Sequence, residues 1–287
     1  MLKKLIGAVA ITASFAFSGI ASANTFVFTA IPDEDETKLI ERFGVVADYL
    51  EEQLGVEVRY IPVKSYAAAV SAFRNNQVQL AWFGGLSGVQ ARLLVPGSEA
   101  LAQGTEDPDF KSYIIAHSST GLEPMDQLND ELRGKTFTFG SKGSTSGRLM
   151  PEYFLREAYG EAPESVFSRV GFSGNHTRTV RLVEAGTYEL GAVNYKVWDA
   201  GVADGSIDQS KVQLIWKTPG YPDYQWTIRG DVDATFGEGF KEKVREALLN
   251  MDDPDLLASF PRGGFIPASN DDYEVIRETA EALGIID

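Results

Sequence analysis

The 287-residue chain carries 26 Lys and Arg against 41 Asp and Glu, a formal net charge of −15, which disfavours nucleic acid and anionic membrane surfaces as partners. It has no cysteine, so it offers neither a disulfide framework nor a thiol for lipid anchoring. Its length is enough for two modest lobes, each with its own core.

Lys3 and Lys4, the apolar run 5–20 and Ala21-Ser22-Ala23 have the three parts of a secretory signal peptide, with cleavage expected before Asn24 and a free periplasmic location. Loss of residues 1–23 leaves 24 basic against 41 acidic side chains, a mature net charge of −17. Residues 25–30 (TFVFTA) predict a strand that breaks at Pro32 into the acidic DEDET, a run read as solvated surface with no metal role. Leu39, Ile40, Phe43, Val46, Leu50 and Leu54 recur at helical spacing, and a second strand follows Gly55 over residues 56–63. Strand, helix and strand in that order imply a parallel sheet with helices packed on it.

A helix is predicted over 66–74, and the strand 79–83 (QLAWF) runs into Gly84-Gly85-Leu86-Ser87-Gly88 before a helix over 89–94. Such a junction suits a tight turn, and equally a ligand site beyond the carboxyl end of a strand. Residues 112–117 (SYIIAH) read as a strand leaving the first lobe, followed by turn-rich residues 118–124.

Residues 134–155 read GKTFTFGSKGSTSGRLMPEYFL: a strand over 135–139, a loop of three glycines and four hydroxyl residues over 140–147, and a helix start. Unpaired amides in a helix's first turn, reinforced by its dipole and by hydroxyls, make a site for a small anion; the plainer reading is that Ser144 or Thr145 caps the helix. The NTPase phosphate loop needs G-x-x-x-x-G-K-[ST], but the Gly134-Lys135-Thr136 run precedes the strand and Asn129 stands where its first glycine belongs. The nucleophile elbow G-x-S-x-G fails because Thr145 occupies the serine position. The loop is built to hold an anion rather than to cut one.

A strand over 170–173 ends in Gly174-Asn175-His176-Thr177 before a helix over 179–185, a third junction, carrying one of two histidines. Strands over 190–194 (LGAVN) and 212–216 (VQLIW) follow, then a proline-broken connector over 218–223, a strand over 226–229 and helices over 238–250 and 271–283. The pattern is α/β throughout, without repeats or low-complexity segments.

Taken together, TAIP, SYAAAVSAF, LAWFGG, FGSKGSTSGRLMP, the Gly-Asn-His loop and AVNYKVWD resemble the periplasmic solute-binding proteins of phosphonate-type ABC transporters, which take phosphate, phosphite or phosphonates. The resemblance covers nearly the whole mature chain. WFGG, STSGRLMP and TPGYPDYQW are similar to a branch called selenate-binding. It implies a type II, venus-flytrap fold with a mixed sheet in each lobe and two hinge crossings, here near 112–117 and 212–218. Residues 24–112 plus 218–287 then form one lobe and 113–217 the other, and closure around a ligand presents one shape to an inner-membrane permease.

Carried over by position, Ser144, Thr145 and Ser146 match oxyanion-gripping hydroxyls, with the Ser146 and Gly147 amides beside them. His176 matches a donor to the same anion, Tyr66 a cleft tyrosine, and Trp82 and Phe83 an aromatic pair. With an ordinary pKa of about 6.5, His176 is expected to charge in a mildly acidic periplasm. Thr177 and Tyr195 stand where the family often has acids, which favours a compact oxyanion without an amine, selenate first and phosphite next. The expectation is a monomeric, cofactor-free binding protein, not an enzyme. Its rivals are a receptor for a membrane sensor kinase and a serine hydrolase using Ser144 or Ser146 with His176 and Asp199.

Overall fold

A computed structural model describes residues 24–259 and 261–286; the signal-peptide assignment falls on residues outside these. In chain order the strands are β1 (Phe26–Ala30), β2 (Val58–Tyr60), β3 (Leu80–Phe83), β4 (Glu99–Gly104), β5 (Ser112–His117), β6 (Thr136–Phe139), β7 (Arg169–Phe172), β8 (Leu190–Asn194), β9 (Val212–Lys217), β10 (Gln225–Ile228) and β11 (Phe265–Pro267). The helices are α1 (Glu36–Leu54), α2 (Tyr66–Arg74), α3 (Gly85–Leu94), α4 (Met150–Tyr159), α5 (Pro163–Val166), α6 (His176–Glu184), α7 (Tyr195–Ala203), α8 (Val232–Phe236), α9 (Phe240–Leu249), α10 (Pro254–Ser259) and α11 (Glu274–Ala282).

The strands form two mixed sheets, in the orders β11-β4-β10-β3-β1-β2 and β7-β6-β8-β5-β9. In the first, β1 pairs in parallel with β2 and β3, whereas β10 runs antiparallel to β3 and β4. In the second, β6 is parallel to β7 and β8, while β5 is antiparallel to β8 and β9. The molecule is a two-lobed α/β fold. The chain passes from the first sheet to the second after β4 and returns after β9, and the two passages lie side by side. Phe110 and Tyr221 exchange backbone hydrogen bonds of 2.9 and 3.0 Å, and Asp223 N donates to Asp107 O at 3.0 Å.

The predicted periodicity of α1 buries Leu39, Phe43, Val46, Leu50 and Leu54 against the first sheet. Ile40, counted on the same face, is instead 46% exposed. Phe28, Phe43, Tyr60 and Trp226 join in one aromatic cluster beneath it. Two strands escape the sequence pattern. EALAQG of β4 is poor in β-branched residues, yet it is held between β10 and β11 and buried along most of its length, so tertiary pairing overrides its weak propensity. β11 is only three residues long and ends in proline.

Helix starts also differ from expectation, and the differences that shape the site fall at the three junctions. α3 begins at Gly85 and α6 at His176, so the glycine and polar loops are themselves the first helical turns. Asn175 caps α6 by accepting from Arg178 N at 2.8 Å. After β6 the chain enters a π-helical turn, Thr145–Leu149, before α4. Its wider winding shows in Leu149 N donating to Ser144 O at 3.0 Å.

Candidate functional site

The π-helical turn is pinned on all sides. Ser144 Oγ accepts from Gly147 N at 2.9 Å, Gly140 N donates to Gly147 O at 2.7 Å, and Ser112 Oγ donates to Ser146 O at 2.7 Å. Ser144, Thr145 and Ser146 are at most 2% exposed. The Gly147 amide is therefore taken by Ser144 rather than pointed at an anion. What Gly147 contributes is room: a Cβ there would lie 2.9 Å from Ser144 Oγ, 3.1 Å from His176 Cε1 and 3.2 Å from Gly140 Cα.

Thr145 reaches across to the other lobe, where its Oγ1 accepts from Leu86 N at 2.9 Å. The neighbouring Gly85 N donates to Asp223 Oδ1, also at 2.9 Å. The first-turn amides of α3 are thus held by a hydroxyl from one lobe and a carboxylate from its own.

Asp223 was not singled out in the sequence. It is 1% exposed, and burial pushes its pKa up to about 7 against the pull of the Gly85 amide and the hydroxyls of Thr145 and Ser146. Its Oδ2 has no hydrogen-bond partner in the protein. Thr177 and Tyr195 leave two family acids unreplaced, but Asp223 brings a carboxylate into the site from another segment. The available signal was an acid among Tyr221, Tyr224 and Trp226, at the end of a proline-broken connector leading into a strand.

His176 is fully buried at the first position of α6, where its N–H donates to Asp33 O at 2.9 Å. Asn194 N donates to His176 Nδ1 at 3.2 Å, which makes Nδ1 an acceptor and places the proton of the neutral ring on Nε2. Nε2 has no partner in the protein. Burial lowers the ring's pKa to about 3, so the expected protonation in a mildly acidic periplasm does not occur in this state; a neutral Nε2–H is the donor.

Tyr66, first residue of α2, is 2% exposed, and its hydroxyl lies beside Ser144 with no geometrically well-formed hydrogen bond. Burial and the nearby Asp33 charge hold it well above the usual phenol range, so it stays a donor. Trp82 stacks on Tyr224 with centroids 5.5 Å apart and planes at 24°, and it lines an interlobe cavity of about 180 Å³. Phe83 points to the other face of β3 and packs edge-on against Phe73 in the core at 5.7 Å. The structure thus gathers Ser144, Thr145, Ser146, Gly147, His176 and Tyr66 around one loop, sets Trp82 beside it, and leaves Phe83 in packing.

Part of the acidic run is also not surface. Asp33 is 6% exposed, accepts from Tyr224 Oη at 2.8 Å, and has its pKa raised to about 6, first by burial and then by Glu34. Glu34 pairs with Arg42 at 2.8 Å. Asp199, the third member imagined for a hydrolase, lies near Tyr113, Lys217 and Lys196, while the His176 ring is oriented by a backbone amide. His117 caps a surface turn, accepting from Ser119 N at 3.1 Å.

Two mixed α/β lobes joined by two adjacent passages, with a buried polar site where they meet, define a two-lobed ligand-binding protein. The chain belongs to the family described as ABC transporter, phosphonate, periplasmic substrate-binding protein, which matches residues 28–273. It is 41% identical over 264 residues to the probable ABC transporter phosphite binding protein PhnD1 of Prochlorococcus marinus, covering 90% of this chain and 89% of that protein. It is 25% identical over 281 residues to the phosphonates-binding periplasmic protein of Escherichia coli, covering 91% and 81%. The structure of PhnD1 in complex with methylphosphonate superposes with a TM-score of 0.87 at 40% identity, over 91% of this chain and 99% of that one. A binding protein component of an ABC phosphonate transporter from Pseudomonas aeruginosa, 22% identical, shares the fold at a TM-score of 0.78 over 90% and 85%.

Proposed function

We propose that this chain is the substrate-binding component of an ABC importer, taking a small, partly protonated phosphorus oxyanion of the phosphite and methylphosphonate class. The ligand lies between a lobe of residues 24–112 plus 218–287 and a lobe of residues 113–217, in a monomer released to the periplasm by cleavage before Asn24. The observation that carries the reading is the set of buried, partnerless polar atoms around the hydroxyl turn: Tyr66 Oη, His176 Nε2 and Asp223 Oδ2. Two are donors suited to anionic oxygens. The third is a carboxylate oxygen that calls for a proton.

That proton decides between anions. A phosphorus oxyanion can bring that proton on a P–OH group, whereas fully ionised selenate or sulfate is accepted only while Asp223 itself stays protonated and meets like charge once it ionises. The preference for selenate drawn from the missing acids therefore gives way to phosphite or methylphosphonate. Binding energy is spent on closure, which supports delivery of one defined shape to the permease.

Calorimetric titration of ligand-stripped mature protein with phosphite, methylphosphonate, phosphate, selenate and sulfate tests this. Phosphite or methylphosphonate is expected to bind at least a hundredfold more tightly than selenate. Ser146→Ala is expected to weaken the best ligand by about 1.5–3 kcal/mol, the loss of one hydrogen bond to a charged group. Selenate as the tightest ligand, or unchanged affinity in Ser146→Ala, overturns the assignment.

A further inference from the structure

Arg92 is a desolvated cation with no role at the oxyanion site. Its polar partners are neutral: Nη1 donates to Gln225 Oε1 at 2.7 Å, Thr227 Oγ1 is 3.4 Å away, and the Tyr273 ring lies 5.2 Å from the guanidinium carbon. Among the described residues no carboxylate pairs with it. Burial pulls its pKa down to about 10, which marks how poorly solvation and neighbours compensate the charge.

The guanidinium borders a surface cavity of about 250 Å³ between α3 and α11. The other charges facing it are Arg277 and Glu274, and Arg277 is bonded to both Glu274 and Glu281. Asn270 is occupied by Ala100 N and Ser98 O, and Ser98 Oγ by Val95 O, so they wall the cavity without adding free donors. Leu93, 54% exposed, and the buried Val89 supply the apolar part of the lining. In a strongly acidic chain Arg92 is thus a cation without a carboxylate partner beside an apolar lining, the one carboxylate in the cavity, Glu274, being engaged by Arg277. Its complement is a carboxylate flanked by apolar side chains.

One helix joins this cavity to the oxyanion site. The first-turn amides of α3 are held by Asp223 and Thr145, Gly88 gives way to the Gln225 amide, and Arg92 in the last turn is bonded to the same Gln225. A Cβ on Gly88 would lie 2.3 Å from Gln225 Nε2, so helix and strand meet there with no slack. Ten residues span only about 15 Å, short enough to move as one body.

We propose that the α3–α11 cavity is a docking socket for the membrane component of the importer, which seats an acidic side chain, flanked by apolar residues, on Arg92. The proposal rests on the importer reading for its partner and is independent of which oxyanion is bound.

The test uses the reconstituted importer in proteoliposomes, with ATP hydrolysis followed as ligand-saturated binding protein is added. Leu93→Asp, at an exposed position in the cavity lining, and Arg92→Gln are each compared with wild type, and oxyanion affinity is titrated on the same preparations. Both variants are expected to keep ligand affinity within threefold while needing at least tenfold more protein for half-maximal stimulation. Half-maximal concentrations within twofold of wild type in both overturn the socket alone. Wild-type protein that fails to stimulate at all overturns the importer reading and the socket with it. Self-association of wild type that Leu93→Asp abolishes assigns the cavity to a second copy and also overturns the proposal.

Discussion

Asp223 and His176 share one site, and burial perturbs them in opposite directions. With Asp223 raised to about 7, one proton must be kept between it and a bound oxyanion. Affinity is accordingly expected to fall about tenfold per pH unit above 7, and Asp223→Asn to flatten that slope in titrations from pH 6 to 9. For folding, the sign follows from proton counts. An acid raised in the native state binds more protons folded than unfolded, so Asp223 and Asp33 withdraw stability as pH rises from about 4 through 7. A base lowered in the native state does the reverse. His176 withdraws stability as pH falls from 6.5 toward 3, and His176→Gln is expected to gain on wild type across that window by a few kcal/mol. Denaturation midpoints of the two proteins at pH 4 and 7 check this; a constant difference contradicts it.

At the scale of elements, the π-helical turn does the positioning, because it carries Ser144 to Gly147 on a backbone tied to β5 and β6. Gly147→Ala is expected to destabilise by about 1–3 kcal/mol, since one of the three groups it would crowd is backbone. It is also expected to weaken the oxyanion at least tenfold, read by thermal denaturation and titration together. This element was legible as a strand, a hydroxyl loop and a helix start, because propensity and glycine placement act locally. Its partners were legible only in part. Tyr66 and His176 came from the family resemblance at helix starts. Asp223 and Asp33 lie in connectors that resemble solvated chain, and only the return passage beside β4 and the packing of Tyr224 bury them. β4 was invisible for the same reason: its neighbours in the sheet come from more than 100 residues further along the chain.

For the whole molecule, the contacts between lobes define the closed form. His176 N reaches Asp33 O, Asn194 Nδ2 donates to Tyr224 Oη at 3.0 Å, Thr145 accepts from Leu86, and Arg181 pairs with Asp35 at 2.9 Å. The last is exposed, so Arg181→Ala is expected to change ligand affinity by no more than about 1 kcal/mol. The buried Asp107–Arg262 pair at the passages is different. Arg262 sits under the rings of Trp82, Phe110 and Tyr224, and Asp107→Ala leaves that cation alone, an expected loss of about 3–5 kcal/mol visible in chemical denaturation.

The wide winding at 145–149 makes the binding corner sensitive to chain length rather than only to chemistry. Excising Arg148 from it would restore ordinary α-helical pitch and swing Ser144 and Ser146 by roughly 100° about the axis, the angular step of one residue in a 3.6-fold turn. A one-codon deletion there would disarm the receptor while every contacting side-chain type remained, a frame-preserving lesion that substitution scans would never sample.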